Sequence, residues 1–299
     1  MSSPTSLFTE SDIGSDPEEP NDIHSDGILS PTTDRSDQVW ASRTAPPIPG
    51  LFFPSAVRLP SQLADEVLKN CLDTYFRNGD VNQVMLFGRA TAISLGGDGE
   101  SLSGNGSCDG DHDHDAAGLP PFLMSLLSTL EELLAPPVLP SQTHSLLFPP
   151  QSTPVQARQA ILNLYLPGEG ISAHVDLLQR FGDGILGLSL GSGCVMRFCK
   201  DLPEERLDVH DDDSSRDKSA RTFQDREYWD LYLPERSVLV LSGEARYHWK
   251  HGIEGQLFDL VQGEGRGEAE KPTSIARGTR LSITFRWLLP GADIVGGPS

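Results

Sequence analysis

The sequence has few cysteines, no long apolar run, no leader-like start and no excess of positive charge, and each absence narrows what the chain can be. Its four cysteines, Cys71, Cys108, Cys194 and Cys199, form no Cys-x-x-Cys pair. That argues against a disulfide framework or a cysteine-built zinc site and fits a reducing compartment. Nowhere do eighteen apolar residues run together, so no segment is read as a membrane-spanning helix. The stretch from Met1 to about Ser42 is rich in Ser, Pro, Asp and Glu. It lacks a basic n-region, an apolar h-region and an Arg-rich amphipathic stretch, so no secretory or mitochondrial leader is read there. The expected location is the nucleus, the cytoplasm or both. The formal net charge of −20 is concentrated in three segments: residues 1–40 carry −8, residues 98–115 carry −6 and residues 201–217 carry −6. The remainder is close to neutral, so the acidity belongs to appendages and says little about what the folded part binds.

What is present points to one α+β domain. Residues 1–45 cannot bury enough apolar surface to offset the entropy of ordering, and are expected to form a disordered acidic tail. Order is expected from about Pro46 to residue 292, interrupted by acidic loop insertions near 96–118, 201–219 and 263–272. Leu63, Val67, Leu68, Cys71, Leu72 and Tyr75 recur at helical spacing over 61–77, and Phe122, Leu126, Leu127, Leu130 and Leu133 do so over 121–134. Residues 83–88 read as a short strand between the two helices. After Gln156 the texture changes to short strand-like runs at 160–166, 171–176, 185–190, 195–198, 229–233, 237–241 and 280–288, most of them bounded by Gly, Pro or Asp. Helices first and strands later predict a jelly-roll β core with helices packed outside it. No internal repeat is evident.

Two strand-like runs carry polar side chains on one face and apolar ones on the other. In residues 160–166, Leu162, Leu164 and Leu166 share one face while Asn163 and Tyr165 share the opposite one. In residues 280–286, Leu281, Ile283 and Phe285 alternate with Arg280, Ser282, Thr284 and Arg286. The two arginines stand about 20 Å apart along such a strand. Their guanidinium forks suit the two ends of a small diacid held between them. Between these runs lies His174-Val175-Asp176, whose i and i+2 side chains point the same way at the end of a strand. Two imidazoles and one carboxylate on one side of a metal form the non-haem iron(II) set, which leaves open positions for co-substrate and oxygen. His-x-Asp is a weak signal alone: His210-Asp211-Asp212 matches it too, within an acidic segment with no strand pattern. His112 and His114 sit in a similar polar run. The third ligand should be a late histidine, and spacing alone leaves His248 and His251 open.

These blocks resemble the AlkB family of oxidative demethylases. Asn163-Leu-Tyr165-Leu-Pro-Gly-Glu-Gly-Ile-Ser-Ala-His174-Val-Asp176 is similar to the family's N-x-Y…P-G…H-x-D stretch, and residues 185–191 to the segment after it. Residues 241–253, Leu-Ser-Gly-Glu-Ala-Arg-Tyr-His-Trp-Lys-His251-Gly-Ile, resemble its G-E-x-R…H-G-I motif, and Arg280 to Arg286 its closing R-x5-R strand. The resemblance covers about residues 158–198 and 236–288. It implies a double-stranded β-helix and selects His251, the histidine before Gly-Ile, over His248. It also implies that His174, Asp176 and His251 hold Fe(II). Arg280 would pair the distal carboxylate of the co-substrate 2-oxoglutarate, with Asn163 and Tyr165 assisting, and Arg286 would sit at the iron-chelating end. The implied chemistry consumes O2 and hydroxylates a C–H bond; on an N-methyl group the product breaks down to formaldehyde. Two positions depart from the family pattern. Leu178 stands where bacterial base-repair members have an acid that contacts the damaged base, and Ser282 replaces an asparagine often found there.

The resemblance favours a nucleic-acid substrate, a modified base in DNA or RNA, transfer RNA included, with Arg180, Arg197, Lys200, Arg246 and Lys250 as candidate phosphate contacts. The alternative is the same chemistry on a protein side chain, such as methyl-lysine demethylation or hydroxylation. The acidic tail, able to recruit a basic protein, suits that alternative. A non-catalytic β-helix binding module is the third reading, and the intact set of ligands and arginines weighs against it. A monomer with no membrane partner is expected.

Overall fold

The computed structural model describes residues 40–88, 118–150, 157–201, 226–263, 272–290 and 292. Residues 1–39 of the expected tail, most of the three expected insertions, the His112–His114 run and the His210–Asp212 motif lie outside the described residues. No described helix is long and apolar enough to cross a membrane. In chain order the elements are β1 (Leu51–Phe52), α1 (Ser61–Tyr75), β2 (Gln83–Gly88), α2 (Pro121–Leu133), α3 (Ser141–Leu147), β3 (Arg158–Tyr165), β4 (Ile171–His174) and β5 (Ile185–Leu190). They continue as β6 (Cys194–Asp201), β7 (Arg226–Leu233), β8 (Val238–Leu241), α4 (Gly243–Tyr247), β9 (Lys250–Ile253), β10 (Phe258–Val261), β11 (Thr273–Ala276) and β12 (Arg280–Trp287).

Strand pairing gives two main antiparallel sheets. One has the order β1-β8-β5-β12-β3-β2 and the other β4-β9-β6-β7, while β10 and β11 form a separate hairpin. Taken in sequence, β3 to β9 and then β12 alternate between the two sheets strand by strand, except that β6 and β7 pair as consecutive strands of the smaller one, so the chain winds around a common axis. This is a double-stranded β-helix, with β1 and β2 added at the edges of the larger sheet.

The period-2 alternation of the larger sheet decides which side the helices cover. Ala160 and Leu162 of β3, Leu186, Leu188 and Leu190 of β5, Val238 and Val240 of β8, and Leu281, Ile283 and Phe285 of β12 are all buried in one cluster. That cluster includes Val67 and Cys71 of α1 and Leu123, Leu126, Leu127 and Leu130 of α2. Pro121 fits the first turn of α2 because its missing N–H would have no intrahelical partner there. A second cluster, with Phe198, Leu231, Leu233, Leu239, Leu241 and Trp249, fills part of the space between the sheets. The face that the helices leave free looks into this space, and it carries the polar column read from β3 and β12.

Order starts earlier than the sequence suggests. Ala41 is 1% exposed and bridges Val261, and Ser42 bridges Leu231. This pairing fixes the segment ahead of Pro46 through two backbone ladders instead of through a hydrophobic run. The short polar α3, the single-turn α4 and the β10–β11 hairpin are also additions to the sequence reading.

Candidate metal centre

His174 closes β4 directly opposite His251 of β9 in the antiparallel register. Opposed residues of such a pair share a face, and the two imidazole centroids lie 4.7 Å apart. Gly252 makes this pairing possible: a Cβ there would sit 2.8 Å from the Ala173 backbone, so only glycine lets β9 approach β4 so closely. Asp176, two residues beyond His174, is buried, with Oδ2 3.6 Å from His251 Nε2. One ligand atom from each of His174, Asp176 and His251 lies within 4.8 Å of the others. His174 Nδ1 is 2.8 Å from the Ser172 carbonyl, so an Nδ1–H donated there leaves Nε2 as the acceptor nitrogen. Burial pushes the His251 imidazole down to about 3, helped by His174 and by the Arg246 guanidinium. His251 is thus held neutral, the form that ligates metals. His248 is exposed at the C-cap of α4 and outside this cluster.

The other polar residues follow from register. On β12, Arg280 faces Tyr165, Ser282 faces Asn163 and Arg286 faces Gln159 of β3, while Ser282 also faces Ser189 of β5. Arg280 is buried and donates from Nε (3.2 Å) and Nη2 (2.9 Å) to Ser189 Oγ, with its guanidinium carbon 5.5 Å from the Tyr165 ring. Burial raises the Tyr165 hydroxyl, with Arg280 opposing the shift. Asn163 Oδ1 accepts from Gln83 Nε2 at 2.8 Å. At the other end of β12, Arg286 donates from Nη1 to Asp176 Oδ1 and from Nε to Gln159 Oε1 at 2.9 Å. Its guanidinium lies 3.9 Å from the Phe181 ring centroid. Arg280 and Arg286 thus stand at opposite ends of one strand, and Arg286 is the one beside Asp176.

A cavity between the sheets is lined by both His251 and Arg280, with Ser189, Ser237, Ser282 and Thr284 on its polar side. Two buried atoms on its wall, Arg280 Nη1 and Ser237 Oγ, have no hydrogen-bond partner. An orphaned guanidinium N–H and an orphaned hydroxyl on one wall are what an incoming carboxylate would satisfy. The donor set therefore fits a dicarboxylate that reaches the three-ligand cluster with its other end.

A family model described as the 2OG-Fe(II) oxygenase superfamily matches residues 59–286. The chain belongs to this superfamily. Its members use Fe(II), 2-oxoglutarate and O2, which agrees with the donor set just described. Similar curated proteins mark it as AlkB-like. A segment of 130 residues, 43% of this chain, is 35% identical to an uncharacterized protein, L905, of Acanthamoeba polyphaga mimivirus, covering 47% of that protein. A segment of 135 residues is 38% identical to the tRNA (carboxymethyluridine(34)-5-O)-methyltransferase alkbh8 of Xenopus tropicalis, covering 43% of this chain and 18% of that one. A segment of 105 residues is 38% identical to an alkylated DNA repair protein ALKBH8 homolog of Arabidopsis thaliana, covering 35% of this chain and 29% of that one. The chain spans less than half the length of each of these relatives.

Four of the five basic residues proposed from sequence for phosphate contact are engaged elsewhere. Arg197 donates to both oxygens of Asp230 at 2.7 Å and to Glu254, Lys200 to Glu244 at 2.7 Å, and Lys250 to Asp201 at 3.0 Å. Arg246 is 2% exposed and turned onto backbone carbonyls, so it is no surface cation. Its position in a short polar helix gave no sign of that burial. Arg180, the remaining one of the five, has neither an ion pair nor a side-chain hydrogen bond among the described residues, and its Nε is buried without a partner. Gln159, Ser189 and Ser237 are the polar residues around the site that the sequence reading missed.

Proposed function

We propose that this chain is an AlkB-like dioxygenase that hydroxylates, or oxidatively demethylates, a modified base in a nucleic acid. The observation that carries the chemistry is one cavity lined by both His251 and Arg280, whose Nη1 is unpartnered. In this reading His174, Asp176 and His251 would hold iron(II), which when bound couples oxidative decarboxylation of 2-oxoglutarate to insertion of oxygen into a substrate C–H bond. Arg280 binds the distal carboxylate with Ser237 and Ser189 beside it, and Tyr165 flanks the guanidinium. Arg286, paired with Gln159, sits against Asp176 and donates to its Oδ1. The apolar walls Leu233, Leu239 and Leu241 keep bulk water from the co-substrate. The catalytic domain is assigned to residues 46–292. Free thiols at Cys71, Cys194 and Cys199 suit a reducing nuclear or cytoplasmic setting.

The nucleic-acid substrate is supported by the relatives named for transfer RNA and alkylated DNA. Arg180, four residues beyond Asp176 and free of any acid among the described residues, is its phosphate contact in this reading. Arg180→Ala is expected to raise the KM for a nucleic-acid substrate about tenfold while leaving substrate-free succinate formation unchanged. Steady-state assays with and without substrate would separate the two. The ion pairs that occupy Arg197, Lys200 and Lys250 favour the second reading, a protein side chain as substrate. Purified protein should be offered methylated RNA, methylated DNA, modified transfer RNA and methyl-lysine peptides, with succinate and formaldehyde measured for each. Stimulation by a peptide and by no nucleic acid would replace the first reading with the second.

Ser237 gives a sharper test of the co-substrate pocket. Its hydroxyl has no partner within the protein, so Ser237→Ala removes no internal hydrogen bond. The expected result is an unchanged melting temperature with a 2-oxoglutarate KM raised by roughly three- to tenfold, worth about 0.5–1.5 kcal/mol. An unaltered KM would remove Ser237 from the pocket's donor set.

A further inference from the structure

Arg246 is the largest fully buried side chain among the described residues, and it forms no ion pair there. Every hydrogen bond it makes goes to a main-chain carbonyl of one segment, the loop that follows His174 and Asp176. Nη1 donates to the Asp176 carbonyl at 2.9 Å. Nη2 donates to Phe181 at 3.1 Å and Leu177 at 3.4 Å, and Nε to Gly182 at 3.3 Å. Beside these carbonyls the guanidinium carbon lies 5.0 Å from the Tyr247 ring centroid. A buried charge held by carbonyl dipoles and one ring is costly to maintain unless the geometry is fixed, because each unsatisfied N–H would forfeit its solvation. The loop is anchored back in the opposite direction as well. Asp183 Oδ1 accepts from the Gly243 N–H at 2.9 Å, at the start of the helical turn that carries Arg246. Inside the loop, the amides of Arg180 and Phe181 both donate to the Leu177 carbonyl, and Gly182 N–H donates to the Trp287 carbonyl. The loop thus has its carbonyls collected by one guanidinium and its ends tied to β12 and α4.

We propose that Arg246 is a positioning residue for the metal centre. By fixing the backbone of Asp176 and of the loop beyond it, Arg246 holds the Asp176 carboxylate toward His174 and His251 before any metal arrives. This role rests on the reading of those three residues as the metal ligands. It predicts a split between the two ligands of the site. Metal binding depends on where Asp176 stands, whereas the 2-oxoglutarate end is built by Arg280, Ser189 and Ser237, none of which Arg246 touches among its hydrogen bonds.

The test uses the full chain and Co(II) as an oxidation-resistant probe. Wild type and Arg246→Lys, which keeps the charge but can reach one carbonyl at a time, are compared by calorimetry and by the visible Co(II) spectrum. The expected Co(II) Kd for Arg246→Lys is raised about 10- to 100-fold, with an altered ligand-field spectrum. The 2-oxoglutarate Kd at saturating Co(II) stays within about threefold of wild type. A folded Arg246→Lys with unchanged Co(II) affinity and spectrum, or with equal losses for metal and 2-oxoglutarate, overturns the proposal. If the variant does not fold, amide hydrogen exchange on metal-free wild type decides: protection of Phe181 and Gly182 supports the preformed clamp, and free exchange at both overturns it. Failure of wild type to bind Co(II) at all would instead remove the metal-site reading on which the role rests.

Discussion

Alanine at His174, Asp176 or His251 is expected to reduce 2-oxoglutarate turnover by roughly a thousandfold or more, while alanine at His248 leaves it within about twofold of wild type. The contrast follows from strand register. His174 and His251 face one another across β4 and β9 with centroids 4.7 Å apart, and Asp176 adds the carboxylate. Removing any one leaves two ligands, too few to set the geometry or hold the ion. His248 lies three residues from His251 in sequence but is exposed at the end of α4, and its side chain is outside the cluster. Succinate formed under iron(II) and ascorbate measures the effect, with circular dichroism to confirm that each variant is folded. The Asp176 variant carries an added cost, because it leaves the buried Arg286 guanidinium without its carboxylate partner. Its melting temperature should therefore fall further than those of the histidine variants. Loss of turnover in His248→Ala with retention in His251→Ala would contradict the assignment outright.

Arg280→Leu is the second large effect. Arg280 is 5% exposed, spends two donors on Ser189 Oγ and leaves Nη1 unpartnered on the cavity wall. A charge-assisted contact to a carboxylate contributes about 1.5–3 kcal/mol, so its loss corresponds to about a 10- to 100-fold rise in the 2-oxoglutarate KM. Leucine at this position leaves Ser189 as the only newly unpaired partner, and the protein should remain folded. Metal affinity should be close to wild type, since Arg280 touches none of the three ligands. Calorimetric titration of the variant with 2-oxoglutarate at saturating metal separates these quantities. A variant that loses metal but keeps 2-oxoglutarate would show that the two ends of the site have been exchanged.

The strands and the polar face they turn away from the helices were legible in the sequence where a period-2 pattern carried both faces at once. Arg280 to Arg286 on β12, and Asn163 and Tyr165 on β3, are of this kind, because their alternate neighbours are leucine, isoleucine or phenylalanine. Gln159 shares the face of Asn163 but stands one residue outside the run read as a strand, and it gains meaning only opposite Arg286. Ser189 and Ser237 are small polar residues at the ends of β5 and β8, and only the pairing of β8, β5 and β12 in one sheet brings them beside Arg280. Arg246 looks like an ordinary helix-surface cation in sequence, since nothing local records that the loop after Asp176 folds over it. The choice between His248 and His251 was likewise set by pairing with β4, a long-range contact that spacing does not encode. The β10–β11 hairpin and α3 escaped because such short elements are stabilised by what they pack against more than by their own pattern.

In the proposed site a metal would be held by His174, Asp176 and His251, and 2-oxoglutarate would then bind between that metal and Arg280. The most direct test is an anaerobic titration of the metal-free protein, first with Fe(II) and then with 2-oxoglutarate, followed by calorimetry and visible absorption. The expected result is one Fe(II) per chain, then one 2-oxoglutarate whose binding requires the metal and produces a new visible charge-transfer band. Folded protein that binds no Fe(II), or that binds 2-oxoglutarate equally well without it, would contradict the account.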